Sequence, residues 1–249
     1  GFRDEEVGRA GLAVGDEQGR RFYDRFRSRI TFPIFDLNGK VVGFSGRIFE
    51  PQTDANIEPQ THAESPRGSA SSPRESAIAA KYINTPQTPI YDKGRILYGL
   101  DKAKLAIRKE DRAVLVEGNM DALMSHQTGM AATVATSGTA LTNNHVALLK
   151  RYSDNVVIAF DADTAGAAAA RRGVELAHAA GLGVRIATTP GAKDPADLVR
   201  EDADAWRAAV AGAKPVLEFF FNQAIAMHPP QTAEGKKGIG HAFLPLLAL

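Results

Sequence analysis

Apolar and polar positions along the first third of the chain predict an antiparallel hairpin. Residues 30–48 read ITFPIFDLNGKVVGFSGRI, so two apolar runs flank the pair Asn38-Gly39. This pair is a strong signal for a two-residue hairpin turn. Pro33 has no backbone N–H to donate, which predicts an edge strand or an irregular start for the first run.

From about Asp111 the pattern changes to short apolar runs that alternate with helical spacing. Val156–Phe160 is continuously apolar, as expected for a central strand buried on both faces. This alternation predicts a parallel α/β sheet with right-handed crossovers. The predicted order is a strand at 113–116, a helix at 120–127, a strand at 130–136, a helix at 141–151 with Thr142 as N-cap, a strand at 156–160, a helix at 164–180 ended by Gly181, a strand at 184–187, a helix at 195–210 and another helix over 214–227.

Composition divides the chain further. Residues 50–80 contain four prolines and only two large apolar side chains, so we expect a flexible insertion that cannot bury enough surface to order itself. The predicted organisation is a small α+β basic subdomain at 1–110, an α/β catalytic domain at 111–200 and the start of a helical subdomain at 201–249.

Composition also excludes several classes of site. The chain has no cysteine, which rules out disulfides and cysteine zinc sites within it. Its six histidines lack close metal-ligand spacing, and no phosphate-binding G-x-x-x-x-G-K-[ST] loop occurs. No apolar run reaches the ~18 residues that span a bilayer, and no signal-peptide pattern opens the chain. We therefore expect a soluble, cytoplasmic protein that does not contact membranes.

Charge is distributed unevenly although the net charge is only +1. Residues 20–47 contain seven basic and two acidic side chains, and residues 81–112 contain eight basic and four acidic ones. Such segments suit a protein that binds a polyanion. A solvated surface accounts for the same charges, so charge alone leaves both interpretations open.

Acidic residues follow successive predicted strands. Because ligands bind at the carboxyl ends of strands in open α/β sheets, these acids are expected at one edge. Carboxylate oxygens suit Mg²⁺ or Mn²⁺, and two such ions ~4 Å apart can stabilise a phosphoryl displacement. For each acid the alternative is the N-cap of the next helix. The candidates are Glu117 after 113–116, Asp121 one helical turn later, Asp161 and Asp163 after 156–160, and Asp194 with Asp197 after 184–187.

Two of these segments resemble a known domain. VEGNMDAL at 116–123 and FDADTAGAAAARR at 160–172 resemble the paired motifs of the Toprim domain, which primases share with topoisomerases, recombination proteins and some nucleases. The flanking segments are similar to those of DnaG-type bacterial primases, over about residues 2–225 apart from the insertion. They are YDRFRSRITFPIFDLNGKVVGFSGRIF at 23–49, KYINTPQTPIYDKGRILYGL at 81–100, ATSGTALTNNHVALLKR at 135–151 and KDPADLVR at 193–200.

The resemblance implies a DNA-directed RNA polymerase that makes short RNA primers on single-stranded DNA for replication. Mg²⁺ or Mn²⁺ at Glu117, Asp161 and Asp163 would bind the incoming ribonucleoside triphosphate, with Asp121 and Asp194 supporting the site. The primer 3′-hydroxyl would attack the α-phosphate, and pyrophosphate would leave. Nucleotide and template would be held by basic residues: Arg47, Lys81 and Lys93, with contributions from Arg25, Arg27 and Arg29.

The same resemblance sets expectations beyond this span. Members of the family have an amino-terminal zinc-binding domain and a carboxy-terminal domain that binds the replicative helicase, and neither is visible here. Two features depart from the family: residue 196 is alanine where the motif often has a second aspartate, and the 50–80 segment is long. Two alternatives remain: another Toprim enzyme such as a nuclease or topoisomerase, and a non-catalytic module that binds DNA or a helicase.

Overall fold

The protein is described from a computed structural model, which covers residues 1–15, 22–49, 80–159, 164–189, 191–192, 194–244 and 247, with only the helical backbone for 164–170. The chain separates into two compact units. The first comprises Gly1–Asp36 and Lys40–Tyr91, and the second comprises Leu37–Gly39 and Asp92–Leu249. The predicted insertion at 50–80 lies outside the described residues, apart from Ala80.

The first unit contains both strands of the predicted hairpin. β3 (Arg29–Phe35) and β4 (Val41–Ile48) pair antiparallel, and Gly39 has a φ of 78° in the turn. β4 also pairs with β5 (Tyr82–Asn84), so β3 and its Pro33 occupy an edge of this hairpin sheet, as predicted. The unit also contains three shorter elements: α1 (Asp4–Arg9), β1 (Ala13–Gly15) and β2 (Phe22–Asp24).

Strand and helix alternate in the second unit, so the predicted parallel α/β architecture is confirmed. Its elements are a 3₁₀ turn (Lys93–Arg95), α2 (Leu100–Glu110), β6 (Ala113–Val116), α3 (Asn119–Gln127), β7 (Thr133–Ala135), α4 (Asn143–Lys150), β8 (Asn155–Ala159), α5 (Thr164–Ala179), β9 (Gly183–Ile186), α6 (Pro195–Glu201), α7 (Ala203–Ala211), β10 (Lys214–Pro215), α8 (Val216–Met227) and α9 (Ala233–Phe243). The central sheet has the order β10-β9-β8-β6-β7, in which all neighbours are parallel except β10 and β9.

Helices bury the middle strands of the central sheet. All four residues of β6 and the last four of β8 are buried, which explains why these runs are apolar without alternation. Leu100 and Ile107 of α2 belong to the same core as Leu115 of β6. Apart from Leu37–Gly39, the second unit begins at Asp92 and so includes α2, whereas the domain boundary predicted from sequence lies after residue 110.

The strand predicted at 130–136 is shorter, Thr133–Ala135, and two predicted helices differ from the structure. The helix predicted at 195–210 is two helices, because Asp202 is extended (φ −153°) and its carboxylate accepts hydrogen bonds from Asp204 N and Ala205 N to cap α7. The helix predicted from residue 214 begins two residues later, since Lys214 and Pro215 form β10 against β9. Among the described residues, no helix is long and apolar enough to cross a membrane.

Candidate functional site

The candidate site lies at the carboxyl edge of the central sheet. Val116, the last residue of β6, pairs with Ala159 at the end of β8 and with Ala135 at the end of β7. The three strands therefore end level with one another. Glu117 is the first residue beyond β6 and is half-buried, so this carboxylate lies at the edge predicted from sequence.

Asp121 is buried in the first turn of α3, where backbone amides bind both of its carboxylate oxygens. Gly118 N donates to Oδ2 at 2.9 Å, and Ala196 N, in the first turn of α6, donates to Oδ1 at 3.0 Å. A Cβ atom at position 118 would lie 2.9 Å from Oδ2, so this approach requires glycine. Asp121 thus ties the turn that carries Glu117 to the start of α6.

Asp194 caps α6. Its carboxylate accepts a hydrogen bond from Asp197 N at 2.8 Å, and Pro195 occupies the first helical position. Asp197 itself pairs with Arg200 at 3.1 Å. The N-terminus of a helix stabilises negative charge, so Asp121 and Asp194 both satisfy orphan amides of α6. Asp194 therefore makes the N-cap contact that the sequence left open as the alternative to a metal ligand.

The described residues alone do not form a metal site at this edge. Asp161 and Asp163 lie outside them, and among the residues that the structure describes no group of three histidines or acids could hold a metal ion. Carboxylate oxygens are hard ligands of the kind that magnesium prefers, but Glu117, Asp121 and Asp194 by themselves do not form such a group. The metal-ligand roles of these residues remain predictions.

Sequence reasoning missed Asn119 and Ser137 beside Glu117. Ser137 N donates to Glu117 O at 3.0 Å, and Ser137 Oγ donates to the Oδ1 of buried Asn119. Ser137 and Gly138 both have positive φ, 59° and 72°, so the loop after β7 turns sharply against the loop after β6. The available signal was Ser-Gly directly after an apolar run, which marks a turn.

Lys93 lies in the 3₁₀ turn of the second unit and is half-buried. The side chain of Asp92 accepts a hydrogen bond from Gly94 N at 2.8 Å and so caps the turn. The N-terminus of α4 packs beside it, with Thr142 as N-cap, which confirms that prediction. His145 is fully buried there, and sequence reasoning did not identify it.

The basic residues predicted in the first unit differ in what they contact. Arg29 Nη1 donates to Ala80 O at 2.8 Å and to Gly46 O at 3.3 Å, so this guanidinium holds the backbone of the hairpin sheet together. Arg25 is half-buried, whereas three other cations are exposed. These exposed residues are Arg27, Arg47 and Lys81.

Two family descriptions match the chain. Residues 1–104 match "DNA primase catalytic core, N-terminal domain", and residues 114–199 match "Toprim-like". A curated DNA primase of Clostridium acetobutylicum is 38% identical over 227 residues, which cover 90% of this chain and 33% of that relative. The chain therefore spans about a third of the length of such relatives.

Solved structures of primase domains are also similar to this chain. The RNA polymerase domain of Mycobacterium tuberculosis primase DnaG is similar with a TM-score of 0.76 and 31% identity, covering 100% of this chain and 73% of that one. A DnaG primase catalytic domain bound to single-stranded DNA is similar with a TM-score of 0.74 and 33% identity, covering 98% of this chain and 69% of that one.

Proposed function

Because the chain belongs to the family of DnaG-type DNA primases, we propose that it carries the catalytic core of template-directed RNA primer synthesis on single-stranded DNA. The observation that carries this proposal is Glu117 at the end of buried β6, level with the end of β8. In the sequence, Asp161 follows Ala159 by two residues. This arrangement supports a carboxylate site at one sheet edge, the usual ligand position in such folds.

The reaction is nucleotidyl transfer from a ribonucleoside triphosphate. The primer 3′-hydroxyl loses its proton to solvent as its oxygen forms a bond to the α-phosphorus, and the bond from that phosphorus to the bridging oxygen of pyrophosphate breaks. Glu117, Asp161 and Asp163 would hold Mg²⁺ or Mn²⁺, which supplies charge stabilisation for the phosphates when bound. Little covalent chemistry is required of the protein in phosphoryl transfer, so positioning and electrostatics dominate.

The neighbouring residues make the edge rigid. Asp121 accepts from Gly118 N and Ala196 N, and Ser137 N donates to Glu117 O. These bonds hold the turn on both sides of Glu117. In this proposal Asp121 supports the site by fixing that turn, and a loose turn would misplace the Glu117 carboxylate.

Template and nucleotide are polyanions, so their proposed partners are cations. Arg27, Arg47 and Lys81 of the first unit are exposed, and Lys93 of the second is half-buried. Phosphate contacts of this kind would bind single-stranded DNA with little sequence preference and weaken as salt rises. The family resemblance alone supports a replicative helicase as a further proposed partner.

Ribonucleotide incorporation on primed single-stranded DNA with Mg²⁺ or Mn²⁺ tests the proposal. We expect Glu117→Gln and Asp161→Asn to reduce incorporation by about 10²-fold or more, since each removes a charge but little volume. Glu110→Gln is the matched control, because Glu110 ends α2 near the opposite end of β6 and pairs with surface Arg112. Glu110→Gln should incorporate ribonucleotides at the same rate as the unmodified chain.

Other outcomes of this assay would indicate a different function. Metal-dependent cleavage of the DNA without extension would indicate a Toprim nuclease. DNA binding by a folded chain that never extends a primer would indicate a binding module. Full activity of Glu117→Gln and Asp161→Asn would overturn the carboxylate site itself.

A further inference from the structure

The imidazole of His145 bonds to the backbone of Lys93. His145 is fully buried at the third position of α4, and its Nε2 lies 2.8 Å from Lys93 O. Its Nδ1 accepts a hydrogen bond from Thr142 N at 3.4 Å. Since Nδ1 is an acceptor there, Nε2 carries the proton that is donated to Lys93 O.

Thr142 completes the contact on the next carbonyl. Thr142 Oγ1 accepts a hydrogen bond from His145 N at 3.1 Å and donates one to Gly94 O at 2.7 Å. Two successive carbonyls of the 3₁₀ turn are therefore held by two side chains at the start of α4. We call this set, Thr142 and His145 with the carbonyls of Lys93 and Gly94, the α4 latch.

The turn is also restrained from its other side. Asp92 Oδ1 accepts from Gly94 N at 2.8 Å, and Asp92 O accepts from Arg95 N at 3.0 Å. The backbone of Lys93 thus has little freedom, although its side chain remains half-exposed. A lysine ammonium sits on a long flexible stem, so its range of positions depends on how firmly that backbone is held.

The protonation state of His145 is consistent with its hydrogen bonds to the 3₁₀ turn and to Thr142. Burial lowers its pKa, while the hydrogen bond to the Lys93 carbonyl, the backbone of Ile96 and the charge of Asp92 raise it. The lowering dominates, so the ring is neutral near pH 7. A neutral ring can keep Nδ1 as an acceptor for Thr142 N, which a protonated ring cannot do.

We infer that His145 is a positioning residue that fixes Lys93 for contact with the phosphates of nucleotide or template. This inference rests on the proposed function, because it assigns a phosphate-binding task to Lys93. His145 itself touches no substrate: it acts through the Lys93 carbonyl.

A double-mutant cycle tests the inference. We expect His145→Ala to weaken binding of a single-stranded oligonucleotide by about tenfold at fixed salt, the scale of one lost charge-assisted contact. In a Lys93→Ala background the same substitution should have no further effect, because the group that it positions is gone. His145→Gln, which retains a donor for Lys93 O, should restore part of the affinity.

His126→Ala is the matched control. His126 Nε2 also lies 2.8 Å from a backbone carbonyl, that of Thr133, but this contact joins α3 to β7 and not to the turn. We expect unchanged affinity. Equal weakening by His145→Ala with and without Lys93 would mean that His145 acts through general stability, and would overturn the inference.

Hydrogen exchange of the 92–96 segment gives a readout that does not depend on activity. Exchange there should be faster in His145→Ala, or in His145→Gln if the alanine variant does not fold, and unchanged in His126→Ala. Unchanged exchange in both His145 variants would overturn the latch. If Lys93→Ala leaves oligonucleotide binding intact while the unmodified chain extends primers, the inference fails and the proposed function stands. If the unmodified chain neither binds nor extends, the proposed function fails and the phosphate-binding task falls with it.

Discussion

The central sheet and the hairpin sheet use their strands differently. In the central sheet every residue of β6 and β7 is buried, so those side chains face the interior of the unit. In the hairpin sheet, exposed and buried residues are interspersed along β3 and β4, and Arg47 projects from the middle strand into solvent. A sheet covered on both faces can carry chemistry only at its strand ends, whereas an open sheet can carry it along its length.

This difference explains where the candidate residues lie. Glu117 follows a strand of the central sheet, Asp121 lies in the first turn of α3, and Asp194 is the N-cap of α6. The exposed cations of the first unit lie on or beside the hairpin sheet. We therefore expect substitutions of Glu117, Asp121 and Asp194 to change the geometry of the sheet edge or the stability of the fold. Substitutions of the exposed cations should change the salt dependence of DNA binding.

The largest expected effect is on stability and contrasts one strand from each sheet. Leu115→Ala in β6, where the side chain is fully buried, should lower the free energy of unfolding by about 2–5 kcal/mol. Ile30→Ala in β3, where the side chain is 45% exposed, should cost below ~1 kcal/mol. Urea unfolding of the second unit can be followed by fluorescence of Trp206, the only tryptophan and fully buried. Hydrogen exchange reports the first unit. Equal losses of unfolding free energy in the two variants would contradict this difference between the sheets.

The next effect compares two aspartates that accept backbone hydrogen bonds. Asp121→Ala leaves Gly118 N and Ala196 N without this acceptor, which should cost about 1–3 kcal/mol in total because both hydrogen bonds are only partly buried. Asp36→Ala removes one acceptor, for Lys40 N, in the turn of the hairpin, and should cost about 1 kcal/mol or less. Calorimetric unfolding of both variants measures the difference. If Asp121→Ala does not lower the free energy of unfolding, water replaces the carboxylate as hydrogen-bond acceptor.

A smaller effect concerns binding and leaves stability unchanged. Removing exposed Arg47 or Lys81 should flatten the dependence of oligonucleotide affinity on salt by about 0.7 in log–log slope for each lost phosphate contact. Arg171→Ala is the control, because Arg171 is an exposed α5 residue paired with Glu175 at 3.4 Å. Fluorescence anisotropy across a salt series measures the slopes. Identical slopes for all variants would exclude these cations from the DNA contact.

The smallest effect is a pH dependence. The pKa of His145 is lowered from 6.5 by burial, so the unfolded chain binds this proton more readily than the folded one. The stabilising contribution is complete above pH 6.5 and is lost as the pH falls below it. We expect the urea midpoint of Trp206 fluorescence to fall between pH 7.5 and 5.5, and His145→Gln to reduce that fall. A fall of the same size in His145→Gln would assign it to other groups.

Local patterns predicted much of this chain. The apolar run at 113–116 matches β6 residue for residue, Thr142 caps its helix, and the turn at Asn38-Gly39 closes the hairpin. These features depend on interactions within a few residues, through strand period, cap chemistry and turn conformation, so sequence alone determined them. The predicted metal roles of Asp161 and Asp163 lie outside the described residues and remain predictions.

Only the tertiary structure decided the contacts between distant segments. Asp121 bonds to Ala196 across 75 residues, and His145 bonds to Lys93 across 52. No local pattern encodes such partners, because an aspartate in a first turn or a histidine near a cap satisfies its own helix equally well without them. Packing of helices on the buried central sheet brings these groups within hydrogen-bond distance, and that packing assigns each side chain its second partner.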